Sequence, residues 1–252
     1  TWNKLVQQAT SFRCVAFFDS LHGCAGNLGP GGWAPTTDTV PMYKTADGGK
    51  TWTPATIIGP RPKGFCGMFK VNDTVIVACG RVSGPAFFAR STDRGNTWYS
   101  KDMSAYAGML LDPYFISPDT GFLMGGTDST ENLSHSIILY TTDGGNTWTT
   151  KIKCATTGDH CWKVFRTRNN VFYASVEEPN TTDTLKYFKS VDGGNTWTEN
   201  VVAGVPYGWS QGIGFVNDTV GWIGGNTYAL ETHDGGKTFD TVSPATLLVN
   251  FK

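Results

Sequence analysis

The chain has 252 residues, a formal net charge of −1 and a charged fraction of only 16%, with no basic stripe, which argues against a dedicated nucleic-acid binder. No apolar run approaches ~18 residues, so no membrane-spanning helix is expected. Thirty-one glycines and an aromatic fraction of 13% suit many short strands joined by tight turns.

In chain order, TWNKLVQQ (1–8) reads as mature protein, with no initiator Met and no signal peptide. VAFFDSLHGCAGN (15–27) then gives an apolar strand, a polar turn and a second apolar strand. After the loop GNLGPGGWAPTTDTVP (26–41) comes the octet TADGGKTW (45–52). The same order returns. MFKVNDTVIVACG (68–80) precedes STDRGNTW (91–98), and YFISPDTGFLMGG (114–126) precedes TTDGGNTW (141–148). A degenerate VFRTRNNVFYAS (164–175) precedes SVDGGNTW (190–197), and IGFVNDTVGWIGG (213–225) precedes THDGGKTF (232–239).

The octet aspartates, Asp47, Asp93, Asp143, Asp192 and Asp234, thus recur at blade-like intervals close to ~45 residues. Each unit reads as strand, tight turn, strand, loop, strand, octet turn, strand. Four antiparallel strands per unit predict an all-β chain, one β-propeller domain over 1–252. Five blades account for residues 13 to about 243. The leftover termini, TWNKLVQQ and TLLVNFK, are expected to pair with the flanking blades and close a five-bladed ring, the alternative being a partial sixth blade.

A residue needed five times is rarely catalytic. In each octet the Asp side chain can accept backbone N–H bonds of the turn that follows, the glycines permit positive φ, and the closing Trp or Phe packs between sheets. No EF-hand pattern with a distal Glu follows these turns, and neither metal nor cofactor is expected.

Six cysteines fall as three close pairs. Cys14 and Cys24 are equidistant from Asp19, and Cys66 and Cys79 flank the turn at Asn72–Asp73. In hairpins each pair is expected to face across the ladder as a disulfide, with Cys154 and Cys161 closing a short loop. N-x-[ST] sequons at Asn72, Asn132, Asn180 and Asn217 fall in segments read as turns or loops. Paired cysteines and loop sequons together predict a secreted, extracellular glycoprotein.

The octets match S/T-x-D-x-G-x-T-W at all five sites, the last with Phe239 in place of Trp, and so the chain resembles the Asp-box (BNR) repeat family. That resemblance implies that each octet lies on the turn between the third and fourth strands of a blade, away from the binding face. Sialidases with Asp boxes carry an F/Y-R-I-P phrase and an arginine triad. This chain lacks the phrase and has few arginines. The phrase F-x-D-x-x-x-G-W-x-x-G followed by T-x-D-G-G-x-T-W also resembles photosystem II assembly-factor-like propellers. That likeness implies binding or assembly without catalysis, although the cysteines and sequons depart from it.

Up-and-down sheets place the short turns at one end and the longer connections at the other, where function normally resides. The contents of these loops are read as Trp33, Arg61, Tyr106, Asp112, Tyr114, Asp159, His160, Trp162, Glu177, Tyr207 and Trp209. Aromatic rings beside carboxylates suit sugars, and equally a protein partner. From this set, Trp33, Arg61, Tyr106, Asp159, His160, Trp162, Glu177, Tyr207 and Trp209 are the ligand-binding candidates. The expected function is a non-enzymatic binding or scaffold module for a glycan or extracellular protein, self-assembly included. The alternative is a glycoside hydrolase drawing two carboxylates from Asp112, Asp159, Glu177 and Glu178, a set from which no spacing selects a catalytic pair.

Overall fold

The computed structural model describes residues 10–31, 36–177, 184–206, 209–225 and 228–242. Among them the only helical turn is a 3₁₀ segment, Glu131–Leu133, and all other regular structure is β. The first sheet comprises β1 (Phe12–Phe17), β2 (Gly23–Asn27), β3 (Met42–Thr45) and β4 (Thr53–Pro54), paired in that order. The second contains β5 (Thr56–Ile58), β6 (Gly67–Lys70), β7 (Ile76–Gly80), β8 (Phe87–Ser91) and β9 (Thr97–Asp102). The third contains β10 (Met109–Phe115), β11 (Gly121–Gly126), β12 (Ser136–Thr141) and β13 (Thr149–Lys153). The fourth contains β14 (His160–Arg166), β15 (Phe172–Glu177), β16 (Thr184–Ser190) and β17 (Thr198–Pro206). The fifth contains β18 (Gly212–Phe215), β19 (Gly221–Gly224), β20 (Ala229–Thr232) and β21 (Asp240–Val242). Four of the five are four-stranded meanders, as the repeat predicts. The terminal segments on which the choice between five and six blades rests lie outside the described residues.

The second sheet departs from the plan. It has five strands in the order β5-β9-β8-β7-β6, and β5 pairs parallel to β9 through Thr56↔Thr97, Ile57↔Trp98 and Ile58↔Tyr99. Pro54 has no N–H to donate and ends β4 after two residues. The chain then satisfies its backbone on the outer edge of the next sheet instead of its own.

All five octets fold as one turn. In the third, Thr141 Oγ1 donates to Asp143 Oδ1 at 2.8 Å and accepts from Gly145 N at 3.0 Å. Thr147 then donates to the same carboxylate through its N–H at 2.9 Å and its hydroxyl at 2.6 Å. The first, fourth and fifth octets repeat these bonds with Asp47, Asp192 and Asp234. The second repeats the Ser91 bonds and the Thr97 N–H bond to Asp93. The ring N–H groups of Trp98, Trp148 and Trp197 bond back to Gly95, Gly145 and Gly194. The strand-to-strand turns are likewise capped by one side chain each, Asp19, Asn72, Ser117 and Asn217, accepting the N–H groups two and three residues on.

The chain divides into two compact units, Thr1–Thr130 with Leu139–Thr149, and Glu131–Ile138 with Thr150–Lys252. In the first unit Phe65, Ile76, Met42 and Trp98 are fully buried together, and Phe88 meets Trp148 edge-on at 5.2 Å. In the second, Tyr173 stacks on Phe215 at 3.8 Å within a core that also holds Leu185, Ile223 and Leu230.

The expected disulfides do not form, and no cysteine bridge exists among the described residues. A bulge between Phe12 and Cys14 sets the register, so that Cys14 faces Gly26 and Cys24 faces Ala16, two positions apart. Cys79 faces Gly67, which puts Cys66 one residue out of line and on the other side of the pleat. The Cys154 thiol is drawn instead to carboxylates, 3.3 Å from Asp159 Oδ2 and 3.1 Å from Glu199 Oε2. Burial, reinforced by the hydrogen bond to Glu199, pushes that thiol up to about 12. Three sequon asparagines, Asn72, Asn132 and Asn217, are exposed, and Asn180 lies outside the described residues.

Candidate functional site

In the second unit the polar candidates converge, but inside the protein. His160 begins β14 and faces Glu177 at the end of β15, and both side chains are buried. Both were expected in loops. The structure places them, with Trp162, in strand ends where apolar neighbours exclude water. Asp159 is fully buried and pairs with Lys186 at 3.2 Å, while the same ammonium bonds Thr156 Oγ1 at 3.0 Å. Glu177 accepts a 2.9 Å bond from Gln211 Nε2. Desolvation holds His160 below its usual pKa, so its ring stays neutral, and neither ring nitrogen has a partner among the described residues. These contacts tie β16 to the loop before β14, and β15 to the segment before β18. Trp209 is exposed.

In the first unit the long connections form an open site. Asn27 ends β2 and organises the loop beyond it. Its Nδ2 donates to the Asp38 and Val40 carbonyls, each at 3.0 Å, and its Oδ1 accepts from Gly29 N at 3.0 Å. The connection from β5 to β6 then lies backbone to backbone on this loop. A Cβ on Gly29 would fall 1.9 Å from the Lys63 carbonyl oxygen, and one on Gly64 would fall 2.0 Å from that of Leu28. Glycine alone permits this approach.

Above the contact is a cavity of about 390 Å³ lined by Pro30, Gly31, Thr39, Arg61, Pro62 and Lys63. Arg61 and Lys63 are exposed, and Arg61 donates to the Thr39 carbonyl at 3.2 Å. A second cavity of about 280 Å³, walled by Val40, Pro41, Pro54, Ala55, Ile57, Gly59 and Arg61, shares that arginine. The added strand β5 supplies Ile57 to this wall.

Tyr106 does not join Arg61. It sits on the loop after β9, with Lys101 5.9 Å from its ring. Asp112 and Tyr114 lie within β10, and Asp112 is buried. Trp33, Glu178 and Tyr207 lie outside the described residues.

Sequence reasoning missed a third feature, at the turn end of the first unit. His22, Lys44, Thr51, Arg94 and Asn96 line a cavity of about 360 Å³. Arg94 holds φ 60° where the other four octets have glycine, and its guanidinium bonds Asp19. An arginine in a glycine position was the available signal. The ion pair satisfies it, and the feature ties an octet turn to a neighbouring hairpin.

No family model matches the chain, and no curated protein matches it. Solved structures do. YCF48 from Cyanidioschyzon merolae aligns with a TM-score of 0.62 and 18% identity, over 96% of this chain and 74% of that one. An ancestral GH74 enzyme aligns with a TM-score of 0.67 and 14% identity, over 96% of this chain but only 32% of the enzyme. An α-L-arabinofuranosidase from Fusarium graminearum aligns with a TM-score of 0.54 and 12% identity, over 92% of this chain and 80% of that one. At such identities the likeness concerns architecture alone: the fold is that of a β-propeller.

Proposed function

We propose that the chain is a secreted binding or assembly module, without catalysis of its own, that takes a protein or glycan partner on the long connections of its blades. One observation carries this reading. Among the described residues, two open cavities with exposed polar groups lie in the first unit, where Arg61 and Lys63 project beside Pro30 and Pro62, and no described carboxylate lines either of them. A glycosidase requires two carboxylates facing an open cleft. Asp159 is instead committed to Lys186 and Glu177 to Gln211, both within protein. The exposed sequons at Asn72, Asn132 and Asn217 fit an extracellular setting in which they carry glycans.

The likeness to glycoside hydrolases keeps one rival in view, namely hydrolysis by carboxylates on the same connections. Labelled chain applied to glycan and peptide arrays, alongside a panel of fluorogenic glycosides, separates the two. Saturable array binding without turnover supports the module. Glycoside turnover that survives purification contradicts it.

A further inference from the structure

In the first unit β6 packs against both β1 and β10. Where β1 meets the start of β6, two cysteines come together that the sequence assigned to different hairpins. Cys14 pairs with Gly26 across the β1–β2 ladder. Phe65 N donates to the carbonyl of Asn27, the next residue of β2, at 2.8 Å, and Cys66 N donates to Cys79 O at 2.8 Å. A Cβ on Gly26 would stand 2.5 Å from Cys14 Sγ and 3.0 Å from Phe65 Cβ. The space of one absent Cβ is therefore all that parts the Cys14 sulfur from the residue before Cys66. Both thiols are free, Cys66 buried and Cys14 half-buried.

The surroundings of this pair are not those of two apolar fillers. The Arg13 side chain and the Val82 N–H both hydrogen-bond the Cys66 sulfur. Asp112 acts on both thiols, and its Cα stands 2.7 Å from a Cβ built on Gly67. Burial raises both thiols above their usual range, and for Cys14 the charge of Cys66 is the next cause, as two neighbouring sulfurs require. Arg13 and the Val82 N–H act the other way and favour a thiolate at Cys66. The other thiols with contacts differ. Cys24 donates to the Gly95 carbonyl and Cys154 to two carboxylates, and neither setting stabilises a sulfur anion.

We propose that Cys14 and Cys66 form a redox pair that closes as a disulfide between β1 and the start of β6, stapling the first sheet to the second. The oxidant is a small-molecule disulfide, oxidised glutathione being the simplest. Cys14, the less buried, attacks one glutathione sulfur as its thiolate, which makes a mixed disulfide and releases one glutathione thiolate. The Cys66 thiolate then attacks Cys14 Sγ, breaking the mixed disulfide and releasing the second glutathione. Two electrons pass from the protein to the oxidant, and the two thiol protons end on the two glutathiones. The bond pins two connections at their roots, since Gly26 precedes the organising Asn27 and Cys66 follows the segment that carries Arg61 and Lys63. The pairing does not depend on the binding role proposed above.

The test places the intact chain, purified with its thiols reduced, in glutathione buffers of graded ratio and digests it with chymotrypsin without reductant. Cleavage after Phe17 and Phe69 parts Cys14 from Cys24 and Cys66 from Cys79, so mass spectrometry assigns each link. A second sample is refolded from urea in the same buffers, so that slow access to buried thiols does not hide the bond. The expected result is a Cys14–Cys66 peptide that has lost the two thiol hydrogens. The oxidised chain is expected to melt roughly 5–10 °C higher, a gain that dithiothreitol removes. Cys14→Ser and Cys66→Ser are each expected to abolish the peptide and the reductant-dependent gain. Reduced thiols in both samples, links to glutathione alone, or Cys14 or Cys66 joined to any other cysteine overturns the pair.

Discussion

Lys186 Nζ lies 3.2 Å from Asp159 Oδ2, and the pair is closed off from solvent, at 9% and 0% side-chain exposure. Cys154 and Thr156 complete the group. An ion pair so placed is weak evidence for net stability, because desolvating both charges offsets most of their attraction. Removing one partner is another matter. Lys186→Met leaves Asp159 charged and buried and is expected to lower unfolding free energy by about 3–5 kcal/mol. Urea unfolding measures this, and a loss below ~1 kcal/mol means that water reaches the pair.

The octet turns predict a graded response to Gly→Ala. Gly145 has φ 95°, and a Cβ there would stand 2.3 Å from Phe88 Cε1. Gly193 has φ 75° with nothing within 4 Å. Gly193→Ala carries only the left-handed strain of about 1 kcal/mol, whereas Gly145→Ala adds a clash with a buried ring and costs about 2–4 kcal/mol. Equal melting shifts for the two variants would mean that the turn does not press on the core.

Acid sensitivity is expected in two windows. Hydrogen bonds from Thr51, Thr147 and Thr196 hold Asp47, Asp143 and Asp192 at about 2, below the usual 3.8. A depressed carboxylate stabilises the fold above its unfolded pKa, and that contribution is lost as pH falls from about 4 toward 2. His160 is depressed by burial, so the unfolded state binds its proton first and stability begins to fall as pH drops through about 6.5. Melting temperature against pH should show both steps, and His160→Gln should erase only the upper one.

The register predicts the thiol chemistry. With Cys14 opposite Gly26 and Cys79 opposite Gly67, neither Cys14–Cys24 nor Cys66–Cys79 is in position to bridge. Peptide mapping without reductant should find neither link. Finding either would shift its hairpin by one or two residues.

These contrasts also mark what the residues disclose. The octets are legible because their code is local: Ser or Thr, Asp, glycines and Thr within eight positions bond one another, and a repeat near ~45 residues fixes the blade. Register is not legible, since cysteines placed symmetrically about Asp19 carry no trace of the bulge at Phe12/Cys14. Nor is β5, whose parallel pairing with Trp98 joins segments some forty residues apart on the strength of where Pro54 stops its own sheet. Asp159 and Glu177 look like loop residues because they are polar, and their partners Lys186 and Gln211 help make burial tolerable, while His160 goes in as a neutral ring. Arg61 was visible as a surface cation.

The central claim is that the recurrent aspartates build the blades while the long connections bind. It is tested most directly by measuring melting temperature and ligand affinity together, on the ligand recovered from the arrays, for Asp143→Asn and Arg61→Ala. The account predicts that Asp143→Asn lowers the melting temperature and leaves Kd unchanged, and that Arg61→Ala raises Kd and leaves the melting temperature unchanged. The opposite assignment, with Asp143 setting affinity and Arg61 setting stability, would contradict it.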